Sequence, residues 1–209
     1  MKKLRDIETP LANFFASGVL ALGEKLGPIL WQLPPNFSWN KERLEEFLTL
    51  LPRNTRDAAK LGKKHDQKLK ARAFLKINVS HPLRYAIEVR HPSFLTPEFF
   101  ALLSKHNVAF VFTDTAGKWP YAEDLTADRV YIRLHGAEQL YVSGYGDAAL
   151  DWWANRIRHW RKGKQPHDAT LIAPRKIDNQ LRDAFVYFDN NAKVHAPFDA
   201  IRLAERFLP

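Results

Sequence analysis

The sequence predicts an α/β fold built on a parallel sheet and, more narrowly, a partial (β/α)8 barrel of the TIM type. Three observations support this prediction. Short strands that are apolar on both faces alternate with helices, which is typical of parallel sheets covered by helices. No Gly-x-Gly-x-x-Gly turn follows the first strand, which argues against a doubly wound nucleotide-binding sheet. Polar residues end five successive strands, as expected at the ligand-binding mouth of a barrel.

The elements follow in order from the spacing of apolar residues. The chain opens with a predicted helix over Thr9 to Leu26, in which Thr9 is the N-cap and Pro10 lies in the first turn. Five apolar runs bounded by turn-forming or polar residues predict strands at 28–33, 84–90, 108–114, 129–134 and 184–189. Helices are predicted at 41–51, 97–105, 147–162 and 197–207, with a basic helical segment at 53–76.

Length and composition describe an ordinary globular chain. Its 209 residues, 45% hydrophobic and 26% charged, predict a single domain over residues 1–209. The absence of cysteine excludes disulfides, thiolate metal ligands and cysteine nucleophiles. No apolar stretch approaches the roughly 20 residues that span a bilayer, so we expect no membrane partner. The N-terminal MKKLRDIETP has acidic residues where a secretory signal has its apolar stretch, which predicts a cytoplasmic protein.

The net charge of +9 is concentrated in one short segment. Residues 53–76, called the basic segment below, carry nine Lys and Arg against Asp57 and Asp66. They predict either a nucleic-acid-binding patch or a solvated basic helix that Leu61 and Leu69 anchor to the protein. The interleaved aromatic side chains of a base-stacking surface are absent, which favours the solvated helix.

Four segments give the chain a resemblance to a known family. They are KLGPILWQLPP (25–35), YAIEVRHPSF (85–94), TADRVYIRLHG (126–136) and VYFDNNAKVHAPFDA (186–200). In this order they resemble the YecE-like family, also known as domain of unknown function 72. Members of that family look like (β/α)8 barrels, so the resemblance implies that fold here. It implies no reaction, because the family is uncharacterised.

The N-terminus departs from the family pattern. Members place three strands, the first with a Gly-Thr-Ser-Gly-Trp type motif, ahead of a helix like Thr9 to Leu26. The five predicted strands would then be the fourth to eighth of an N-terminally incomplete barrel, matching the family's C-terminal two thirds. We therefore expect Met1 to be an internal methionine of a protein of about 300 residues. In the 209-residue chain, a missing N-terminal segment or an oligomer would be needed to cover the sheet edges.

Strand alternation predicts which polar side chains share a face. Glu88 lies on the side away from Ile87 and Val89, which suit packing under helices. Arg133 and His135 share one face of their strand by the same rule. We expect these three at one mouth, with Glu88 as general base, Arg133 as anion clamp and His135 as acid or proton shuttle. The alternative is a buried Glu–Arg pair that holds the strands together.

Further residues at the strand ends complete the predicted substrate site. Asp114, Asp189 and Asn190 are candidates either for ligand binding or for turns and caps. Gly144 and Gly146 precede a helix, where they either bind phosphate through backbone N–H groups or form a plain turn. The whole predicted substrate-binding set is Gln32, Arg90, His91, Asp114, Tyr131, Gly144, Gly146, Asp189 and Asn190. Loop residues Trp119, Tyr121, Tyr141 and Tyr145 either stack on a ligand or form a packed lid.

The sequence leaves three functions open. The first is an enzyme, of hydrolase or isomerase type, that uses acid–base chemistry on a small anionic or hydroxylated substrate. The second is a nucleic-acid-binding protein that uses the basic segment, with the barrel mouth as a pocket for one nucleotide. The third is a truncated fragment without independent activity. No ligand spacing typical of a metal site is present, so no metal is assigned, although Glu88, Asp114, His135 and Asp189 stay an alternative set of metal ligands. The cofactor is unknown.

Overall fold

Five strands form a single parallel sheet in the computed structural model, which describes residues 4–174 and 178–208. The strands are β1 (Ile29–Gln32), β2 (Tyr85–Glu88), β3 (Val108–Asp114), β4 (Arg129–Leu134) and β5 (Asp183–Phe188). Their order in the sheet is the order in the chain. Because parallel neighbours need a crossover connection, helices separate most of the strands. The predicted α/β class is therefore correct.

Three of the described α-helices begin at a capping side chain. Asn40, Asn54 and Thr96 each accept a hydrogen bond from a backbone N–H in the first turn of the helix that follows. The α-helices are α1 (Glu8–Ala16), α2 (Lys41–Leu50), α3 (Thr55–Gly62), α4 (Pro97–Lys105), α5 (Asp147–Arg161) and α6 (His195–Glu205). Short 3-10 helices cover Val19–Lys25, Gln67–Arg72, Pro92–Phe94 and Asn191–Lys193. Among the described residues, no helix combines the length and apolarity needed to cross a bilayer.

The predicted partial eight-stranded barrel is wrong. The five strands form a sheet of their own, with β1 and β5 as its end strands, rather than strands four to eight of a barrel that lacks three. The polar strand ends did not distinguish the two architectures, because ligand-binding groups collect at the carboxyl ends of strands in any parallel α/β sheet. Met1, to which the expectation of a longer barrel was tied, lies outside the described residues.

The predicted helix over Thr9 to Leu26 is divided in the structure. α1 ends at Ala16, and a 3-10 helix follows over Val19–Lys25. Gly18 lies between them with a φ of 107°, a conformation that only glycine adopts at low cost. The apolar spacing continues across this break because both pieces bury apolar residues, so periodicity alone could not reveal it.

The basic segment is helical only in part. α3 covers Thr55–Gly62, and a 3-10 helix covers Gln67–Arg72. Gly62 is buried at the end of α3, where a Cβ would lie 2.5 Å from the end of the Leu75 side chain. Asp66 then caps the next turn by accepting a backbone hydrogen bond at 2.9 Å. The buried Gly62 and the capping carboxylate of Asp66 therefore mark the break in the single predicted helix.

The chain divides into two compact units. The first contains the described residues up to Leu30 together with Trp39–Tyr85. Within it, α1 packs against α3. Its most deeply buried apolar side chains include Leu11, Phe15, Leu44, Phe47 and Leu48.

The second unit contains Trp31–Ser38 and the described chain from Ala86 onward. In it β4 pairs with β3 on one side and with β5 on the other. α4 packs on β3, and α5 and α6 pack on β5 and on each other. Aromatic side chains in edge-to-face and tilted contacts fill the core of this unit. They are Phe94, Phe99, Phe100, Phe110, Phe112 and Trp160. This packed sheet positions the candidate site.

Candidate functional site

Polar side chains from β1, β2 and β4, and from residues just after β2, β4 and β5, meet at the carboxyl edge of the sheet in the second unit. β1 contributes Gln32, β2 contributes Glu88 and β4 contributes Arg133. The group is called the edge cluster and consists of Gln32, Glu88, Arg90, Arg133, His135 and Asp189. All six are residues that the sequence singles out, and the structure brings them together.

Glu88 is enclosed by two guanidinium groups. It is 1% exposed, and its Oε1 accepts a hydrogen bond from Arg90 Nε at 3.0 Å. Its Oε2 accepts one from Arg133 Nη1 at 2.5 Å. A buried carboxylate is costly unless it is paired in this way. Both oxygens are thus occupied, and the geometry holds Glu88 as a fixed anion.

Gln32 and Asp189 complete the pairing of the two arginines. The side-chain oxygen of Gln32 accepts from Arg90 Nη2 at 2.8 Å and from Arg133 Nη1 at 3.1 Å. Arg133 Nη2 donates to Asp189 Oδ2 at 2.8 Å. Two cations and two carboxylates therefore balance, and both Nη groups of Arg133 already have partners.

His135 is the least satisfied member of the edge cluster. Its side chain is 0% exposed, and neither ring nitrogen has a hydrogen-bond partner in the described part of the chain. Nδ1 nevertheless lies 3.2 Å from Asp189 Oδ2. Burial lowers the pKa of His135 below its ordinary value of 6.5, and Arg133 lowers it further. The ring is neutral near pH 7, with one nitrogen to donate and one to accept.

We expect His135 to make the protein less stable as the pH falls from about 7 towards 5. Its pKa is lower in the folded state, so the unfolded chain takes up the proton first and acid favours unfolding. One such proton contributes at most about 1.4 kcal/mol per pH unit. Urea denaturation across this range should show a steeper loss of stability for the natural protein than for His135→Asn. Equal slopes would contradict the expectation.

Two tyrosines extend the edge cluster with an aromatic surface. Tyr131 and Tyr187 stack with their ring centroids 5.0 Å apart and their planes at 25°. Burial raises the pKa of Tyr131 to about 12, so its hydroxyl stays protonated. Tyr187 is exposed and lies in register with Arg133. An apolar ring face is thus available to solvent beside the charged groups.

Two residues predicted to bind substrate serve as local supports instead of joining the edge cluster. His91 Nδ1 accepts from the backbone N–H of Ser93 at 3.2 Å and so caps a short turn. Asn190 is buried and donates through Nδ2 to the Ser143 carbonyl at 3.1 Å and to Asp199 Oδ2 at 2.9 Å. The second set of contacts joins the loop before α5 to α6.

The two glycines before α5 differ in their surroundings, and phosphate binding by them stays a prediction. A Cβ at Gly144 would lie 3.0 Å from His195 Nδ1, because that ring covers the glycine. Gly146 is the N-cap of α5, and Asp147 follows it in the first turn. Asp147 Oδ1 accepts from Arg202 Nη2 at 2.6 Å, and this bond lowers the pKa of the carboxyl. A side-chain anion therefore already occupies the helix N-terminus.

The basic segment is not a run of free cations. Lys60 Nζ lies 3.1 Å from the carboxylate of Asp57, and Lys64 Nζ lies 2.5 Å from that of Glu8. The side chain of Lys70 is outside the described residues. Nucleic-acid binding through this segment stays a prediction. In the described ranges no group of three or more histidine and acidic side chains is placed to hold a metal ion.

Sequence patterns could not reveal the contact between Asp189 and His135. Alternation along β5 places Asp189 on the face of Tyr187, but it does not say which residue of β4 lies opposite. The observed register pairs Arg133 with Tyr187 and Leu134 with Phe188. That register brings Asp189, the residue after β5, beside His135, the residue after β4.

Comparisons with known proteins place the chain among uncharacterised relatives. A family model described as "Protein of unknown function DUF72" matches residues 1–208. A DUF72 family protein from Thermotoga maritima MSB8 is 20% identical, with a TM-score of 0.65 over 98% of this chain and 66% of that chain. Another, from Enterococcus faecalis V583, is 16% identical, with a TM-score of 0.59 over 93% of this chain and 66% of that chain.

These two likenesses show the fold alone. The present chain spans just under two thirds of the length of each of the two solved structures. A comparison with curated proteins found no match.

Proposed function

Because the chain belongs to the DUF72 family, whose description assigns no activity, we propose from its geometry that the edge cluster binds a small hydroxylated or anionic molecule and exchanges a proton with it. One observation carries this proposal. His135 is a buried, neutral imidazole with two unpartnered nitrogens in the described structure, beside a carboxylate. Buried polar atoms are nearly always paired, and an exception marks a place where a ligand can supply the partner.

His135 and Asp189 are suited to pass a proton between a ligand and water. One ring nitrogen takes the proton from a hydroxyl or from an acidified C–H, and the imidazolium that forms is stabilised by Asp189, whose carboxylate lies 3.2 Å from Nδ1. The Asp189 side chain is 38% exposed, so it can exchange the proton with solvent. Arg133 holds this carboxylate in place from its other side.

In this proposal Glu88 and Gln32 act as positioning residues. Each accepts hydrogen bonds from both guanidinium groups, which fixes the two arginines relative to the strands. Rigid support of this kind is what a site for proton transfer requires. A network present for stability alone would be expected to pair the nitrogens of His135 as well.

Tyr141 controls access to the imidazole. Its ring lies edge-on against His135, with the centroids 5.3 Å apart. His135 has no exposed surface of its own, so we expect Tyr141 to move aside when a ligand reaches the ring. Tyr141 has a φ of 65°, an uncommon conformation for a residue other than glycine, and its backbone N–H donates to the His135 carbonyl.

Ribose 5-phosphate, which carries both hydroxyl groups and a negative charge, tests the proposal. Ribose supplies the hydroxyl groups alone, and inorganic phosphate supplies the anion without the sugar. We expect ribose 5-phosphate to shift the imidazole NMR signals of His135 and to bind at least tenfold more tightly than either single-feature probe. His135→Asn and Asp189→Asn should lower this affinity at least tenfold. His159→Asn, on α5, is the matched control and should leave it unchanged, because that ring bonds only to a backbone carbonyl of its own helix.

Proton transfer itself is followed by deuterium uptake. Incubation of ribose 5-phosphate in heavy water should place deuterium next to its carbonyl group, as detected by mass spectrometry, and His135→Asn should abolish that uptake. If no probe perturbs His135, or if His135→Asn binds ribose 5-phosphate as the natural protein does, the proposal is wrong. Binding of a single-stranded oligonucleotide that weakens steeply with salt would instead favour the basic segment as the functional surface.

A further inference from the structure

A cavity in the second unit is lined by aromatic rings and one carboxylate. Its volume is about 320 Å³, at the lower end of the roughly 300–1,000 Å³ that small-molecule pockets occupy. None of the six edge-cluster residues lines it. We call it the Trp cavity, and its main walls are Asp114, Trp119, Tyr121, Trp152 and Trp153.

Asp114 brings an uncompensated negative charge to the Trp cavity. It forms no ion pair within residues 4–174 and 178–208. Its neighbours are neutral donors, namely the backbone N–H of Ala116 at 3.4 Å, the Tyr145 hydroxyl and the Trp153 indole. Burial raises the pKa of Asp114, and these hydrogen bonds only partly oppose that effect. A partly buried carboxylate in such surroundings favours a cation as its ligand.

The walls of the Trp cavity are of the kind that attracts cations. Tryptophan presents the strongest ring face for this interaction. The Arg156 guanidinium carbon lies 3.9 Å from the ring centre of Trp152, and that of Arg90 lies 5.0 Å from the ring centre of Trp119. Both arginines are already neutralised by carboxylates, Arg156 by Glu123 at 2.7 Å and Arg90 in the edge cluster. The ammonium of Lys118 also lies 5.1 Å from the ring centre of Trp119. Asp114 is paired with none of these three cations in the described structure, so its charge remains available to a ligand.

We propose that the Trp cavity binds a small organic ammonium ion, with the charged nitrogen near Asp114 and its alkyl groups against the tryptophan rings. A metal ion suits the site less well, because one carboxylate and several rings supply too few oxygen or nitrogen ligands. A neutral apolar ligand would leave the charge of Asp114 unpaired. The proposed site is separate from the proton-transfer function and does not depend on it.

Choline and its neutral carbon isostere 3,3-dimethylbutan-1-ol test the proposal, because they differ in charge and hardly in shape. We expect choline to shift the indole N–H signals of Trp119 and Trp152 and to bind at least tenfold more tightly than the alcohol. Sodium chloride at equal ionic strength should not reproduce the shift. Calorimetry supplies the affinities, and the His135 signals report whether the edge cluster responds.

Asp114→Asn keeps the size of the side chain and its acceptor oxygen while removing the charge. It should lower the affinity for choline at least tenfold and leave that for the alcohol unchanged. Trp119→Leu should also weaken choline binding, and it provides a second variant if Asp114→Asn fails to fold. Asp189→Asn is the matched control, since it removes a carboxylate outside the cavity, and it should bind choline as the natural protein does.

Three results would overturn the proposal. Equal affinities for choline and 3,3-dimethylbutan-1-ol would show that the cavity is only apolar. Choline binding that survives both Asp114→Asn and Trp119→Leu would place the ligand elsewhere. Choline shifts at His135 that disappear in Asp189→Asn would assign the ligand to the edge cluster.

Discussion

Replacement of Arg133 by Met is expected to lower the free energy of unfolding by about 3 kcal/mol. Arg133 donates to Gln32, Glu88 and Asp189, and it lies between two carboxylates. Loss of one partner of a buried ion pair typically costs about 3–5 kcal/mol, because the other charge stays buried. Arg90 still binds one oxygen of Glu88, which places the expected loss at the low end of that range. Urea denaturation at neutral pH measures it.

Two further variants show whether charge is the cause. Glu88→Gln combined with Arg133→Met removes both charges and should be more stable than Arg133→Met alone. Arg161→Met replaces an exposed arginine at the end of α5 and should change the stability by less than about 0.5 kcal/mol. If Arg133→Met were as mild as Arg161→Met, the edge cluster would not hold a buried charge that needs Arg133.

Replacement of Arg156 by Met is expected to cost about 3–5 kcal/mol of unfolding free energy. Arg156 is 4% exposed and donates to Glu123, which is 1% exposed, at 2.7 Å. It also donates to Asp168 at 2.7 Å, and its guanidinium covers the Trp152 ring. The variant removes this cation and leaves the Glu123 carboxylate buried, with a backbone hydrogen bond from Thr170 as its remaining strong partner.

The pH dependence of this loss identifies its origin. Burial already raises the pKa of Glu123 above its ordinary value of 4.5, and removal of Arg156 raises it further. The folded variant then holds a proton that the unfolded chain releases, so its stability falls as the pH rises through the range between the two pKa values. The penalty should therefore be smaller near pH 5 than near pH 7. An equal penalty at both pH values would indicate lost packing on Trp152 instead of an unpaired charge.

Chemical-shift changes in Arg156→Met should stay away from His135. The contacts of Arg156 belong to the loop around Glu123 and to Trp152, and none of them involves a residue of the edge cluster. Arg133 and Arg156 thus belong to two different groups of buried ion pairs. One supports the candidate proton-transfer site, and the other stabilises the loop between β3 and β4.

Local patterns determined which elements form and which side of a strand each residue faces. β3 and β4 match the apolar runs at 108–114 and 129–134, because period-two alternation and flanking turn residues act over a few residues. The same alternation correctly grouped Glu88 with Arg133 on one face. Backbone breaks such as the one at Gly18 leave no trace in these patterns, since a left-handed glycine does not disturb the apolar spacing.

Only the tertiary structure decided which of the polar strand-end residues meet. Asp114 ends β3 and Asp189 follows β5, yet Asp189 joins His135 whereas Asp114 lines a separate aromatic cavity. Likewise, the ring of His195 covers Gly144 from a helix that begins about fifty residues later in the chain. Alternation assigns a side chain to a face, but its partners depend on strand register, on the number of strands and on helix packing. These are set by contacts between residues far apart in sequence, which no local pattern encodes.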